Sequence, residues 1–284
     1  MKSLFQRNWY TEVRRSDLGL LRAKTSYVDT NREAVAHLLV DVHSFIIKEA
    51  LWEEQRSTET ILARTREVTP LQGSEAYFSS GPALKEVAAF LKDPLAVALF
   101  SETVKGIIQA ETFLLSERGY GSEAEYDDKW TNFYLGSCRY YSNLDRVTKS
   151  WYEHVGESKR AGNLFVRFKT QSLFKLANGQ YLLTGNLSDS FHEVNVRLKL
   201  DKFTVQEADG VLLRTPDIIC REAASLLSNL HGINLRGIPK KELASILGKG
   251  QGCVHVIDLV SDCVQLLDSP STWHVTETDG EEEK

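Results

Sequence analysis

The chain repeats one order of elements, strands followed by helices, in both of its halves. At a constant offset of 160 residues, Asp29 matches Asp189 and Asp41 matches Asp201. A duplicated unit folds the same local elements twice. We therefore predict an α+β fold made of two tandem, diverged repeats, each an antiparallel β-meander followed by two or three helices.

Local patterns place several elements within these repeats. Residues 194–200 alternate strictly between apolar and polar, which predicts a half-buried strand. Asn178-Gly179 predicts a hairpin turn, and Pro94 predicts the start of a helix. Helical spacing predicts further helices at about 130–151, 217–230 and 252–267.

The predicted domains follow from this pattern. Residues 1–155 form an N-terminal repeat with a degenerate site, and residues 163–268 form a C-terminal repeat that carries the candidate site. Residues 271–284 contain an acidic run and are predicted to be a disordered tail.

Charge and hydropathy restrict the partners. The net charge is −5 and no basic face is visible, so nucleic-acid binding is not expected. No apolar run approaches the roughly 20 residues of a membrane span, and the N-terminus lacks the apolar core of a signal peptide. We expect a cytoplasmic protein that can form a homodimer and bind a small-molecule ligand.

The candidate site emerges from what the two halves do not share. His192 falls opposite Arg32 and His255 opposite Tyr140, whereas Cys253 matches Cys138. Thiolate and imidazole are ligands for zinc and iron. The predicted metal ligands are His192, Cys220, Cys253 and His255, and the N-terminal half keeps only Cys138 and Glu33.

Other interpretations of these residues remain open at this stage. Cys253 could be a nucleophile activated by His255 or His192 in a metal-free enzyme. In a metal site with an open coordination position, Glu193 or Asp258 could orient a ligand or act as a general base. Cys220 could be a core residue, and Asp258 could stabilise a helix dipole. A third alternative is a non-catalytic binding or assembly protein.

The C-terminal half resembles a bacterial family known as domain of unknown function 2889, mainly over residues 163–267. The resemblance rests on Phe191-His192-Glu193, on Pro216 to Cys220, and on Gly252-Cys253-Val254-His255-Val256 with Asp258. The family has aspartate where this chain has Glu193, and threonine where it has Val254. The resemblance implies no activity, but it marks the same residues as the site.

A second resemblance concerns only the order of ligands. The sequence His192, Cys220, then Cys253 with His255 is similar to that of U-type iron–sulfur assembly scaffolds, although Cys220 is not preceded by glycine. This likeness is an analogy of architecture and does not imply cluster assembly; zinc, iron and an iron–sulfur centre are the candidate cofactors because of the ligand types.

Overall fold

The computed structural model describes residues 1–17, 19–57, 63–156 and 159–268. Nine strands cover much of this part of the chain: β1 Lys2–Arg15, β2 Leu20–Asp29, β3 Glu33–Asp41, β4 Ile47–Arg56, β5 Arg64–Glu67, β6 Asn163–Lys175, β7 Tyr181–Asp189, β8 Glu193–Asp201 and β9 Thr204–Arg214. The predicted tail at 271–284 lies outside the described residues.

The helices fall after each run of strands. The α-helices are α1 Gly81–Leu91, α2 Pro94–Ala110, α3 Glu123–Tyr134, α4 Trp151–Val155, α5 Lys240–Ile246 and α6 Val254–Gln265. Segments of 3-10 helix are Thr69–Leu71, Phe78–Ser80, Glu111–Phe113, Leu144–Arg146, Ile218–Leu230, Lys249–Gln251 and Leu266–Asp268. Antiparallel strands with helices confirm the predicted α+β class. In the described residues, none of the helices has the length and apolar character needed to cross a membrane.

The chain divides into two compact units built from interleaved segments. The first unit contains Met1–Arg7, Lys129–Val155 and Lys169–Lys284, and the second contains Asn8–Asp128 and Gly156–Phe168. Each unit therefore includes chain from both predicted repeats.

The first unit orders its strands as β1-β6-β7-β8-β9, using one end of β1 and one end of β6. β8 pairs antiparallel with β7 and β9. Its alternating sequence buries every second side chain, from Val194 to Leu200, in a core shared with α6. The predicted half-buried strand is confirmed, and its apolar face is covered by the helix that carries Cys253 and His255 at its start.

In the second unit the order is β5-β4-β3-β2-β1-β6, and β3 pairs antiparallel with β2 and β4. α2 begins at Pro94 as predicted, and the side chain of Asp93 caps it by accepting a hydrogen bond of 3.0 Å from the backbone N–H of Leu95. A buried ion pair joins Arg167 to Glu102 at 3.0 Å.

One helix prediction is wrong, and a second is confirmed with a helix type that the sequence does not indicate. The segment predicted as one helix from 130 to 151 is broken after Tyr134, where Gly136 adopts a positive φ of 74° that ends the helix. Cys138 therefore lies in a turn, and the predicted equivalence with the helix start at Cys253 is not observed. The helix predicted at about 217–230 is confirmed at Ile218–Leu230, where it is a 3-10 helix that begins at its capping residue Asp217.

One carboxylate of α3 makes stability depend on pH. Burial, followed by the charges of Glu123 and Asp128, raises the pKa of Asp127 to about 6. Because the pKa of Asp127 is higher in the folded state, ionisation of this carboxyl group lowers the stability of the folded chain. The loss of stability begins near the ordinary pKa of aspartate, grows up to about pH 6 and is complete above it. We expect Asp127→Asn to raise Tm by roughly 1–2 °C at about pH 8, a small shift because solvent screens this half-buried charge.

Thermal unfolding followed by circular dichroism at about pH 5 and about pH 8 tests this expectation. The gain should shrink at the lower pH. Glu86→Gln on α1 is the control because it removes an exposed carboxylate. An equal gain for Asp127→Asn at both pH values would contradict the electrostatic explanation.

Candidate metal centre

The turn between β7 and β8 fixes the position of His192. Asp189 ends β7 and is buried, and its Oδ1 accepts hydrogen bonds from the backbone N–H groups of Phe191 at 2.8 Å and His192 at 2.7 Å. Arg214 on β9 holds the other side of the turn by donating to the carbonyl oxygen of Asp189 at 2.6 Å. Aspartate side chains commonly accept hydrogen bonds from the backbone of their own turn in this way.

The same carboxylate also orients the imidazole of His192. Nδ1 of His192 lies 3.2 Å from Oδ1 of Asp189, and both side chains are buried. When Nδ1 donates its proton to a carboxylate, the lone pair of Nε2 is available to a metal ion, as in carboxylate–histidine–zinc arrangements.

His255 reaches this turn from the first residues of α6. Its ring stacks on that of His192 with 3.8 Å between centroids and 30° between planes. Asp189, His192 and His255 each offer one ligand atom, and these atoms all lie within 4.8 Å of one another. Within the described residues, no other set of three or more histidine, cysteine or carboxylate ligand atoms converges in this way.

Cys253 lies next to this group. Its Sγ is 4.0 Å from Nδ1 of His255, and its side chain is half-buried. Burial raises the pKa of the Cys253 thiol to about 12, while the backbone N–H groups of Val256 and His255 act in the opposite direction. Without a bound cation the thiol is therefore protonated at neutral pH, which disfavours a free nucleophile.

The remaining predicted residues lie outside the histidine group. Cys220 is buried at the start of the 3-10 helix, and burial raises its pKa to about 11. Glu193 opens β8 with its Oε2 3.9 Å from a guanidinium nitrogen of Arg214. Asp258 pairs with Lys240, with 2.6 Å between Oδ1 and Nζ.

Two neighbours of the histidines were absent from the predicted site. Asp189 carried a usable signal, because it matched Asp29 in the repeat. His154 gave none, since α4 brings it to the turn only in the folded chain. Its Nε2 lies 2.8 Å from the carbonyl oxygen of Phe191, and burial lowers its pKa, with the nearby His192 contributing.

Comparison with known families agrees with this location. Residues 177–267 match the model of a protein family of unknown function, DUF2889. The C-terminal half resembles DUF2889. The matched DUF2889 region contains Asp189, His192, Cys220, Cys253 and His255, so the predicted resemblance is confirmed over these residues. No curated protein matches the chain, and the likeness to iron–sulfur scaffolds is not shown.

Proposed function

We propose that this chain binds a transition-metal ion, zinc or iron, through His192, His255 and Cys253. The observation that carries the proposal is the convergence of two imidazoles and a carboxylate within 4.8 Å, with a thiol beside them. Imidazole and thiolate are ligands that zinc and iron accept, whereas magnesium and calcium prefer oxygen.

Cys253 lies outside the group of ligand atoms within 4.8 Å of one another, so its thiol would have to move towards His192 when an ion binds. Zinc bonds of about 2.0–2.3 Å place tetrahedral ligand atoms roughly 3.3–3.8 Å apart. The 4.0 Å between Cys253 Sγ and His255 Nδ1 is close to that range. Ion binding would also reverse the effect of burial on the thiol, because a coordinating thiol loses its proton to solvent.

Asp189 serves in this proposal as an orienting group. Its Oδ1 already accepts two backbone N–H groups and faces His192 Nδ1. An oxygen used in this way fixes a ligand better than it binds an ion directly. Glu193 and Asp258, the predicted candidates for a general base, are engaged with Arg214 and Lys240, so the proposal assigns no catalytic step.

Metal analysis of the untagged protein purified without oxygen tests the function directly. We expect at least about one equivalent of zinc or iron per chain, and recovery of that content when the stripped protein is titrated with zinc. Less than about a tenth of an equivalent, together with no zinc uptake, would overturn the proposal.

The orienting role of Asp189 gives a graded prediction. Asp189→Asn keeps an oxygen that can close the turn but removes the charge facing His192, and we expect zinc affinity to fall by about 10–100-fold. Asp29→Asn is a matched control, since Oδ1 of Asp29 accepts from Asn31 at 2.7 Å and Arg32 at 2.6 Å in the corresponding turn.

Zinc competition with a chromophoric chelator measures both variants. The control should bind zinc as the unaltered chain does. A loss in Asp29→Asn as large as that in Asp189→Asn would mean that turn stability, and not ligand orientation, explains the effect.

The tandem repeat also remains a proposal, and strand geometry supports it. Register shifts occur between Glu33 and Ala34 and between Leu39 and Val40 on β3. On β8 they occur at the same offset of 160, one of them between Glu193 and Val194 and the other between Lys199 and Leu200.

The corresponding turn of the first half carries an ion pair where the second carries the proposed metal site. Arg32, opposite His192, pairs with Glu54 at 2.8 Å and with Asp93, the capping residue of α2. In the duplication that we propose, α2 is therefore the counterpart of α6. A homodimer, a small-molecule ligand and a cytoplasmic location stay predictions.

A further inference from the structure

The second unit contains a cavity of about 560 Å³ that is lined by residues of β1, β2, β3 and β4. On β2 the side chains of Leu21, Ala23 and Thr25 are buried, so Arg22 and Lys24 stand on the opposite face of the sheet, where the cavity lies. A cavity of this size is within the range of small-molecule sites. All of its lining belongs to the second unit, whereas the residues of the proposed metal site belong to the first.

A buried carboxylate, that of Glu12 on β1, holds two of the cations that line the cavity. Its Oε2 lies 2.8 Å from Nε of Arg14, and its Oε1 lies 3.1 Å from Nζ of Lys24. The hydroxyl of Tyr10 also donates to Oε2 at 3.0 Å. Burial acts to raise the pKa of Glu12, but the bonds from Lys24 and Tyr10 outweigh burial, and the pKa is lowered. One negative charge is thus shared by two cations, and both cations have further N–H donors.

Arg22 adds a third cation, and its partner is neutral. Its Nε donates to Oγ of Ser16 at 3.2 Å, and among the described residues no carboxylate pairs with it. A guanidinium presents two parallel N–H groups that match the two oxygen atoms of a carboxylate. The two terminal nitrogens of Arg22 are therefore available to a carboxylate that enters the cavity.

The cavity also has an apolar part beside these cations. Leu39 lies directly opposite Arg22 in the pairing of β2 with β3, and Leu51 lies opposite His37 in the pairing of β3 with β4. Both leucines are half-buried and line the cavity. Nε2 of His37 is buried and completes no hydrogen bond within the described residues, since Oε2 of Glu53, 3.3 Å away, lacks the required geometry. A bound oxygen atom would supply the partner that buried polar atoms normally have.

We propose that this cavity binds a small organic monocarboxylate, with its carboxylate on Arg22 and its apolar part against Leu39 and Leu51. Among the described residues, four cationic side chains and three carboxylates line the cavity. One of the four, Arg15, pairs with Glu117, which is not part of the lining. The excess positive charge is therefore at most one, which favours a monoanion over the dianion of a phosphate. This binding site goes beyond the proposed metal-binding function and does not depend on it.

Isothermal calorimetry of the full chain with hexanoate at low salt tests the cavity. The chain is stripped of metal first, because a carboxylate can also bind a metal ion. We expect a Kd of about 1 mM or below for a ligand of this size. Acetate, which lacks the apolar part, should bind at least about tenfold more weakly. Hexylamine carries an ammonium group in place of the carboxylate, and it should show no binding below about 10 mM.

Arg22→Gln should weaken hexanoate binding by at least about tenfold, because it removes the charged group that receives the carboxylate. Arg64→Gln on β5 is the matched control, since it removes an exposed arginine of the same unit that does not line the cavity. His192→Ala should bind hexanoate as the unaltered chain does. Failure of the proposed metal site and failure of the cavity are therefore distinguishable.

Several results would overturn the proposal. These are no hexanoate binding up to about 10 mM, equal affinity for hexanoate and hexylamine, tighter binding of inorganic phosphate than of hexanoate, and unchanged binding in Arg22→Gln.

A measurement on the unaltered chain covers the case in which Arg22→Gln does not fold. Raising the KCl concentration from about 0.02 M to about 0.3 M should weaken hexanoate binding several-fold, because salt screens the attraction between an exposed guanidinium and a carboxylate. Affinity that does not change with salt would contradict recognition of the carboxylate by these cations.

Discussion

Replacing His255 by alanine is expected to weaken zinc binding at the proposed site by at least about 100-fold, and His192→Ala should do the same. Loss of a direct ligand costs more than loss of an orienting partner, for which the usual range is about 10–100-fold. The ligand atoms of His192 and His255 lie within 4.8 Å of each other, so we infer that both bind one ion.

Chelator competition at neutral pH, with the thiols kept reduced, gives the affinities. His231→Ala is the matched control in the same unit, because Nδ1 of this exposed imidazole donates to the carbonyl oxygen of Gln206, 2.8 Å away. If both histidines hold one ion, the double variant should lose little beyond either single one. Affinities within about twofold of the unaltered chain for both single variants would contradict the assignment.

Gly185→Ala is expected to destabilise the first unit by about 2–3 kcal/mol, a typical cost of overpacking a core. A Cβ at this position of β7 would lie 2.6 Å from Cys263 Sγ, 3.0 Å from Leu259 Cγ and 3.0 Å from Val196 Cγ2. α6 packs against β7 at this point, so an added methyl group forces the helix away from the strand. A fall in Tm of about 5–10 °C should follow.

Thermal and urea unfolding measure this effect, and a second substitution tests its cause. Cys263→Ala alone should cost roughly 1 kcal/mol, as for other losses of a single buried heavy atom. In the Gly185→Ala background it should instead restore stability, because it removes the atom with which the new Cβ collides. Gly162→Ala is the control, since no heavy atom lies within 4 Å of a Cβ there.

Zinc affinity should fall together with stability in Gly185→Ala. β7 ends at Asp189 and α6 begins beside His255, so their packing sets the distance between the two parts of the site. A variant that unfolds more easily but binds zinc unchanged would show that the spacing of α6 and β7 does not control the site.

Much of the fold follows from local patterns because burial of one strand face imposes an alternation that the sequence displays. β8 shows this, and so does the hairpin turn at Asn178-Gly179, where Gly179 has a φ of 80°. The break after Tyr134 was missed because the aromatic residues beyond it have helical spacing. Tyr134 and Tyr141 in fact stack on each other at 5.3 Å, across a turn.

The 3-10 geometry of Ile218–Leu230 was also beyond the sequence pattern. Its buried side chains at Ile219, Ala223 and Leu230 are four and seven residues apart, which fits the period of 3.6 residues of an α-helix and not the period of 3.0 of a 3-10 helix. The hydrophobic spacing therefore indicates a helix at this place but gives no sign of its 3-10 geometry.

For the candidate site, the chemical types of the residues were more informative than their positions along the sequence. His192 and His255 were recognisable because metals select imidazoles, and the structure brings their rings together. Cys138 was assigned to a degenerate repeat because its neighbours in the sequence carry no ligand. The next residue, Arg139, donates to the carbonyl oxygen of Gly252 and pairs with Glu222, and no local pattern encodes such contacts between distant parts of the chain.

The two parts of the proposed ligand set are ordered by different contacts, because Oδ1 of Asp189 bonds to the turn of His192 and not to α6. It closes the β7–β8 turn and faces His192 with the same bonds, so this half of the ligand set is ordered as soon as the hairpin forms. The other half depends on α6 docking through Leu259 and Cys263 against β7. In the proposed site, an arriving ion would therefore spend little binding energy on the hairpin and would act chiefly as a clamp on the first turn of α6.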